Sequence, residues 1–182
     1  MSDVHGLLFS AFRRFTADAF PEAEERIWLG SRVHSPDDAY EDDEFESLVS
    51  RAAGETGSTR EDILRSFGRF TGQVVFRDLR PQFYETSGAT RQFLLDVEMR
   101  IHRTLGKTIR GAAPPRLHVV PFGAGGVSIT YTSHRGLCEL LQGLVEGTAS
   151  HYGERFDIEH PICMHRGDEA CAFFLTPAAP QS

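Results

Sequence analysis

His102 falls on an apolar stripe, with Leu95, Met99, Leu105 and Ile109 recurring beside it at helical spacing over about Ala89 to Ile109. A histidine there is buried. It is either a core residue satisfied by a hydrogen bond or a ligand, since neutral imidazole commonly binds a buried metal or haem iron. Glu98 is the sole nearby candidate for a second ligand, and one axial ligand in an apolar setting suits haem better than a bare ion.

The run Tyr131-Thr132-Ser133-His134-Arg135 sets a phenol, a hydroxyl and a guanidinium at every second position. In an extended chain those three side chains point the same way. Together they make a carboxylate clamp, because arginine offers a bidentate fork. A polar strand end with Arg135 at the surface is the plainer alternative. All 3 cysteines fall in the last third, where His160-Pro161-Ile162-Cys163 has the look of a zinc half-site and Cys171 lies across a hairpin from it. Buried reduced thiols account for the same residues.

The elements that must position these groups change character along the chain. Leu8, Ala11, Phe12 and Phe15 predict a helix over residues 6–20, and Pro21 to Val33 a second, short one. Ser35-Pro36-Asp37-Asp38 reads as a turn, and a third helix starts near Asp42. Thr59 is the expected N-cap of a fourth, which reaches Phe76 or Leu79 with a break around Gly72. Pro81 to Gly88 reads as a loop or single turn before the His102 helix, which Gly111 and Pro114-Pro115 end. Leu117, Val119 and Pro121 then alternate as a strand, a Gly123–Gly126 turn follows, and Val127, Ile129 and Tyr131 return. A helix over His134 to His151 and a final hairpin around Arg166-Gly167-Asp168 complete the pattern, with a disordered tail from Pro177. Helices followed by two hairpins predict an α+β domain with a four-stranded antiparallel sheet.

The 182 residues suit one domain with room to enclose a cofactor, and 14 phenylalanines against one tryptophan fit a deep apolar pocket or a plain core. The net charge of −7, without a dense Lys/Arg patch, excludes an ordinary nucleic-acid partner. The acidic run Asp37 to Glu46 reads as a solvated loop and helix start. No apolar run approaches the roughly 18 residues a membrane span needs. The first residues do not read as a secretory leader, so a cytoplasmic location is expected and a disulfide framework is not. No nucleophile–histidine–acid order, phosphate-cradling glycine loop or paired carboxylates suggest an enzyme.

Tyr131-x-Ser133-x-Arg135 resembles the signature of the haem-nitric oxide/oxygen-binding (H-NOX) domains. The helix carrying His102, the run Gly111-Ala112-Ala113-Pro114-Pro115-Arg116-Leu117, Gly143-Leu144-Val145-Glu146-Gly147 and the start His5-Gly6-Leu7-Leu8 are also similar to that family. The resemblance covers essentially the whole chain and implies a single domain over 1–182. It would comprise a helical subdomain over about 1–65, a haem-ligating α/β subdomain over about 66–176, and a tail over 177–182.

What the resemblance implies is haem b buried between the subdomains, with His102 as proximal iron ligand and Tyr131, Ser133 and Arg135 on the propionates. Pro115 would press on the haem, and Met99, Leu105 and Leu117 would line the pocket. Oxygen-binding members carry a tyrosine on the helix after the motif, at the position that is Leu140 here. With Leu8, Phe12 and Leu144 as an apolar distal wall, the implied ligands are nitric oxide and carbon monoxide, without a stable oxygen complex. Nitric oxide would release His102 and signal to a separate partner, such as a histidine kinase or a cyclic-di-GMP enzyme. In this family the helix of Cys138 packs beside the last sheet, so Cys138, His160, Cys163 and Cys171 would make a closed zinc site. His165, expected on a strand facing the other way, is the weaker alternative to His160. A haem-free zinc- or thiol-containing binding or redox-sensing module is the rival function.

Overall fold

Phenylalanines at helical spacing give the first helix its buried face. The computed structural model describes residues 3–79, 81–97 and 115–179. Helix α1 (Gly6–Ala19) buries Phe9, Phe12 and Phe15, and His5 caps it, Nδ1 accepting the Leu7 N–H at 2.9 Å. Just before it, β1 (Asp3–His5) pairs antiparallel with β2 (Ala39–Glu41), strands too short for alternation to reveal. The expected helix over Pro21 to Val33 is only one turn, α2 (Glu24–Ile27). Arg51 takes the Ile27 and Leu29 carbonyls at 2.9 and 2.7 Å, and Gly30, at φ 73°, turns the chain away.

Helix α3 (Asp42–Thr56) opens with Asp42, Asp43 and Glu44, charges that favour a helix N-terminus. Helix α4 (Arg60–Phe70) starts at its expected cap, Thr59 Oγ1 accepting the Asp62 N–H at 3.1 Å. The break near Gly72 takes the form of a π-helical turn, Thr71–Val75, before α5 (Phe76–Leu79). Where a loop or single turn was expected, Pro81–Ser87 forms helix α6, with proline at its first position. Its Tyr84 stacks on His151 at 4.0 Å, and the hydroxyl donates to the Gly72 carbonyl and lies 3.3 Å from Thr148 Oγ1. That bond serves a carbonyl at the π turn, and burial pushes the Tyr84 phenol up to about 12.

Helix α7 (Thr90–Val97) leads towards the sheet, whose strands are β3 (Arg116–Phe122), β4 (Gly126–Thr132), β5 (Phe156–Ile162) and β6 (Cys171–Pro177). Their order is β3-β4-β6-β5, every pairing antiparallel. Strand β6 continues to Pro177, which pairs with Phe156, so the expected tail begins in ordered structure. Helix α8 (Cys138–His151) starts four residues later than expected, because Ser133 to Gly136 forms a turn with Gly136 at φ 57°. The architecture is the expected α+β arrangement, a helical N-terminal part joined to a four-stranded antiparallel sheet.

Two apolar clusters result. One gathers α1 to α4 around Phe12, Phe45 and Phe67; the other lies under the sheet and holds Ile129, Tyr131, Phe173 and the three cysteines. They meet where α4 and the π turn cross α8. A Cβ at Gly68 or Gly72 would fall 2.3 or 2.6 Å from the Leu140 or Leu144 carbonyl oxygen. At Gly143 or Gly147 it would fall 2.1 or 2.2 Å from the oxygen of Arg65 or Arg69. Only glycines allow this backbone approach, and Glu146 straps the crossing by pairing with Arg65 and, at 3.2 Å, Arg69.

Candidate functional site

The short segment between β4 and α8 carries the polar trio. Tyr131 and Ser133 are buried, the Arg135 side chain keeps 9% of its exposure, and the intervening Thr132 and His134 face solvent. The in-out alternation of the strand therefore persists past its last residue, as the sequence implied. Tyr131's hydroxyl accepts the Leu137 N–H at 3.1 Å, while Ser133 Oγ accepts the Arg135 N–H at 3.3 Å. Burial, the largest influence, pushes the Tyr131 phenol up, so it stays a neutral donor.

Arg135 does not reach the surface. Its Nε donates to Asp42 Oδ1 at 2.7 Å, and the neighbouring His134 Nε2 lies 2.6 Å from Asp42 Oδ2. Asp42 belongs to the acidic run that read as solvated, and its side chain keeps 22% of its exposure. One carboxylate on α3 thus ties the helical part to the end of β4, over 93 residues of sequence separation. Sequence reasoning missed it, because an acidic first turn satisfies helix electrostatics alone.

Leu117, the second residue of β3, lies directly opposite Tyr131 and is buried with it. Pro115, just before the strand, is half-buried. Leu140 on α8 is buried in the helical cluster, with Leu8 and Leu144 packed half-buried against that cluster. Phe12 is wholly enclosed, its ring meeting those of Phe15, Trp28, Phe45 and Phe67. Met99, His102 and Leu105 lie outside the described residues. For a haem, the trio offers the donors that carboxylates require, an arginine fork beside two hydroxyls.

The sulfur-bearing site is more fully drawn. Cys138 Sγ and Cys171 Sγ each lie 3.9 Å from Cys163 Sγ. The donor atoms of Cys138, His160, Cys163 and Cys171 all fall within 4.8 Å of one another. Zinc–sulfur bonds of about 2.3 Å in a tetrahedron set sulfurs roughly 3.8 Å apart, so the spacing fits. His160 Nε2 is buried with no hydrogen-bond partner, and its ring stacks on Phe173 at 3.9 Å. Burial, aided by Arg166, lowers the His160 pKa and keeps the ring in its neutral, ligating form. Burial pushes the Cys138 and Cys171 thiols up, a cost that a dication would reverse. Asp168 accepts the Cys163 N–H at 2.9 Å and the Met164 N–H points at Cys171 Sγ, 3.4 Å away, which fixes two sulfurs from behind.

His165 departs from its expected place. It rides on a 3₁₀ turn, Met164–Arg166, rather than a strand, and its Nε2 lies 2.7 Å from the Gly136 carbonyl, on the Cys138 side of the cluster. Glu139, which the sequence did not single out, receives the Cys138 thiol at 3.2 Å.

Helices crossed through facing glycines beside an antiparallel sheet, with a buried polar trio at the join, define an α+β domain. Comparison with known proteins makes it specific: the haem-NO-binding (HNOB) family model matches residues 5–160, and the chain belongs to that family of haem-based gas-sensing H-NOX domains. The structure is similar to that of an H-NOX protein from S. oneidensis in the Fe(II)NO state, with TM-score 0.87, 19% identity, and 97% of this chain and 100% of that one covered. It is also similar to the unliganded Fe(II) H-NOX protein of K. algicida, at TM-score 0.83, 20% identity and coverage of 98% and 99%. A point mutant of the T. tengcongensis H-NOX matches at TM-score 0.83, 22% identity and coverage of 98% and 100%. Among curated proteins no match was found.

Proposed function

We propose that this chain is a nitric oxide sensor that forms one domain over residues 1–182. It holds haem b between its helical and sheet parts, with His102 as the iron ligand and Tyr131, Ser133 and Arg135 on the propionates. The observation that carries the reading is the burial of that trio side by side where the two parts meet. When bound, haem supplies a ferrous iron with one coordination position open to a diatomic gas. His102 would hold that iron, and Met99, Leu105, Leu117 and Pro115 would line the pocket. Leu8, Phe12, Leu140 and Leu144 would exclude water from the distal side.

Leu140 decides the gas. Bound oxygen is stabilised by a hydrogen-bond donor, whereas nitric oxide and carbon monoxide bind without one, and leucine donates nothing. The S. oneidensis protein has been seen in Fe(II)NO and Fe(II)CO states, which supports the same ligands here. Release of His102 would loosen its helix and shift the helical part against the sheet across the glycine crossing. Asp42, shared by His134 and Arg135, is the polar contact that such a shift would strain. A separate protein, a histidine kinase or a cyclic-di-GMP enzyme, would read the change, with this chain acting as a non-enzymatic sensor in the cytoplasm. None of the described helices is long and apolar enough to cross a membrane.

Cys138, His160, Cys163 and Cys171 hold a structural zinc ion in this reading, pinning the start of α8 to β5 and β6. An absorption spectrum tests the sensor. Protein expressed with haem supply should show a strong Soret band, take up nitric oxide and carbon monoxide when ferrous, and form no lasting oxygen complex in air. His102→Gly should lose the iron ligation and regain it with imidazole. Wild-type protein that takes up no haem but holds zinc would turn the assignment to a thiol-metal module, which the preassembled sulfur cluster favours.

A further inference from the structure

We infer that Glu139 and His165 form, together with Cys138, an outer loading site through which a zinc ion reaches the buried four-ligand set. The inference rests on the zinc reading above. Cys138, Cys163 and Cys171 are at most 4% exposed and His160 Nε2 is sealed, so the inner donors offer no face on which a hydrated ion can first exchange its waters. The outer donors do. A carboxylate oxygen of Glu139, a ring nitrogen of His165 and Cys138 Sγ also lie within 4.8 Å of one another. The His165 side chain keeps 48% of its exposure, Glu139 keeps 21%, and Cys138 keeps none, so the three grade from solvent to interior.

The geometry is built for these residues. Glu139 Oε1 takes the Cys138 thiol at 3.2 Å, and its Oε2, buried and without a hydrogen-bond partner, lies 3.9 Å from His165 Nε2. A Cβ at Gly136 would fall 2.7 and 3.0 Å from the His165 ring, so glycine is required for the imidazole to lie there. The Gly136 carbonyl meets Nε2, and the Arg166 N–H bonds the Cys163 carbonyl at 2.8 Å, which ties the 3₁₀ turn to an inner ligand.

Sulfur, nitrogen and oxygen donors with a fourth position left to water make an open zinc site, weaker than a closed set of three thiolates and an imidazole. Cys138 belongs to both. An ion caught outside can therefore exchange Glu139 and His165 for Cys163, Cys171 and His160 without leaving sulfur. Each thiol that ligates gives its proton to solvent, and no electron is transferred.

The test follows cobalt(II) and zinc(II) loading of the metal-stripped full chain in wild type, His165→Asn and Glu139→Gln/His165→Asn. At equilibrium every form should hold one metal with the same cobalt–thiolate charge-transfer spectrum. Loading, and release to a strong chelator, should slow together by about tenfold in the double variant and by less in His165→Asn. Unchanged rates would overturn the loading role, as would a changed spectrum, which would make the pair inner ligands. Wild type that takes up no metal would remove the zinc reading as well, so the two failures are distinct.

Discussion

The helical cluster and the sheet cluster bury polar atoms in opposite ways. In the first, Trp28 Nε1 donates to Thr16 Oγ1 at 2.9 Å, and His34, stacked on Phe9, sits 2.6 Å from Glu44, which Arg32 also holds. These buried groups are matched within the protein, as scaffold requires. The second buries three thiols, of which Cys138 bonds Glu139 and Cys171 the Met164 N–H, beside a histidine nitrogen that has no partner. A buried ring nitrogen without a partner costs stability unless a ligand offsets it, which supports the zinc reading of the sheet cluster.

Metal removal tests that contrast hardest. Stripping zinc with a strong chelator, or replacing Cys171 by Ser, should lower stability by ~4 kcal/mol and the melting temperature by about 10 °C, read by calorimetry. An equal melting temperature with and without chelator would mean that the sulfurs are ordinary core. The next effect lies at the seam between the clusters. Gly143→Ala puts a methyl 2.1 Å from a backbone oxygen, which no side-chain rotation relieves. It should cost about 3 kcal/mol in denaturant unfolding, whereas alanine at the unobstructed Gly54 of α3 should gain up to about 1 kcal/mol. Asp42→Asn leaves the Arg135 guanidinium, whose side chain keeps only 9% of its exposure, facing a neutral amide. A loss of about 2 kcal/mol is expected, together with weaker retention of haem, measured by its transfer to a haem-scavenging protein.

Much of this is legible in the sequence. Tyr131, Ser133 and Arg135 announced themselves by strict alternation, and Thr59 by its place ahead of Asp62. The cysteine and histidine spacing suggested a zinc half-site, though only the family resemblance added Cys138. What stayed hidden has a common cause. Asp42 and Arg135 meet across 93 residues, and the facing pairs Gly68/Gly72 and Gly143/Gly147 mean nothing until two helices cross. Helix α6 was obscured by its length and glycine boundary, since isolated short helices draw their stability from packing, here through Tyr84. His165 was assigned the wrong face because a 3₁₀ turn breaks the period of two on which strand faces depend.

The helical part has its own unmatched atoms, Thr71 Oγ1 and His5 Nε2, and the second gives the smallest expected effect. Among the described residues the unpartnered buried ring nitrogens are His160 Nε2 and His5 Nε2. His5 differs in that Nδ1 already works, accepting the Leu7 N–H as the cap of α1. Burial, opposed by Asp37, lowers its pKa below the ordinary histidine value of 6.5. The unfolded chain therefore takes up the proton first, and the stability tied to His5 is complete above that value and declines as the pH falls through it. Protonation would also abolish the acceptor, so the loss should approach the ~1 kcal/mol of an N-cap. His5→Asn keeps a capping oxygen and removes the ionisation. Unfolding free energies measured from pH 7.5 to 5 should be flatter in the variant than in wild type. Parallel curves would mean that His5 is matched as Trp28 and His34 are, and the contrast between the two clusters would sharpen.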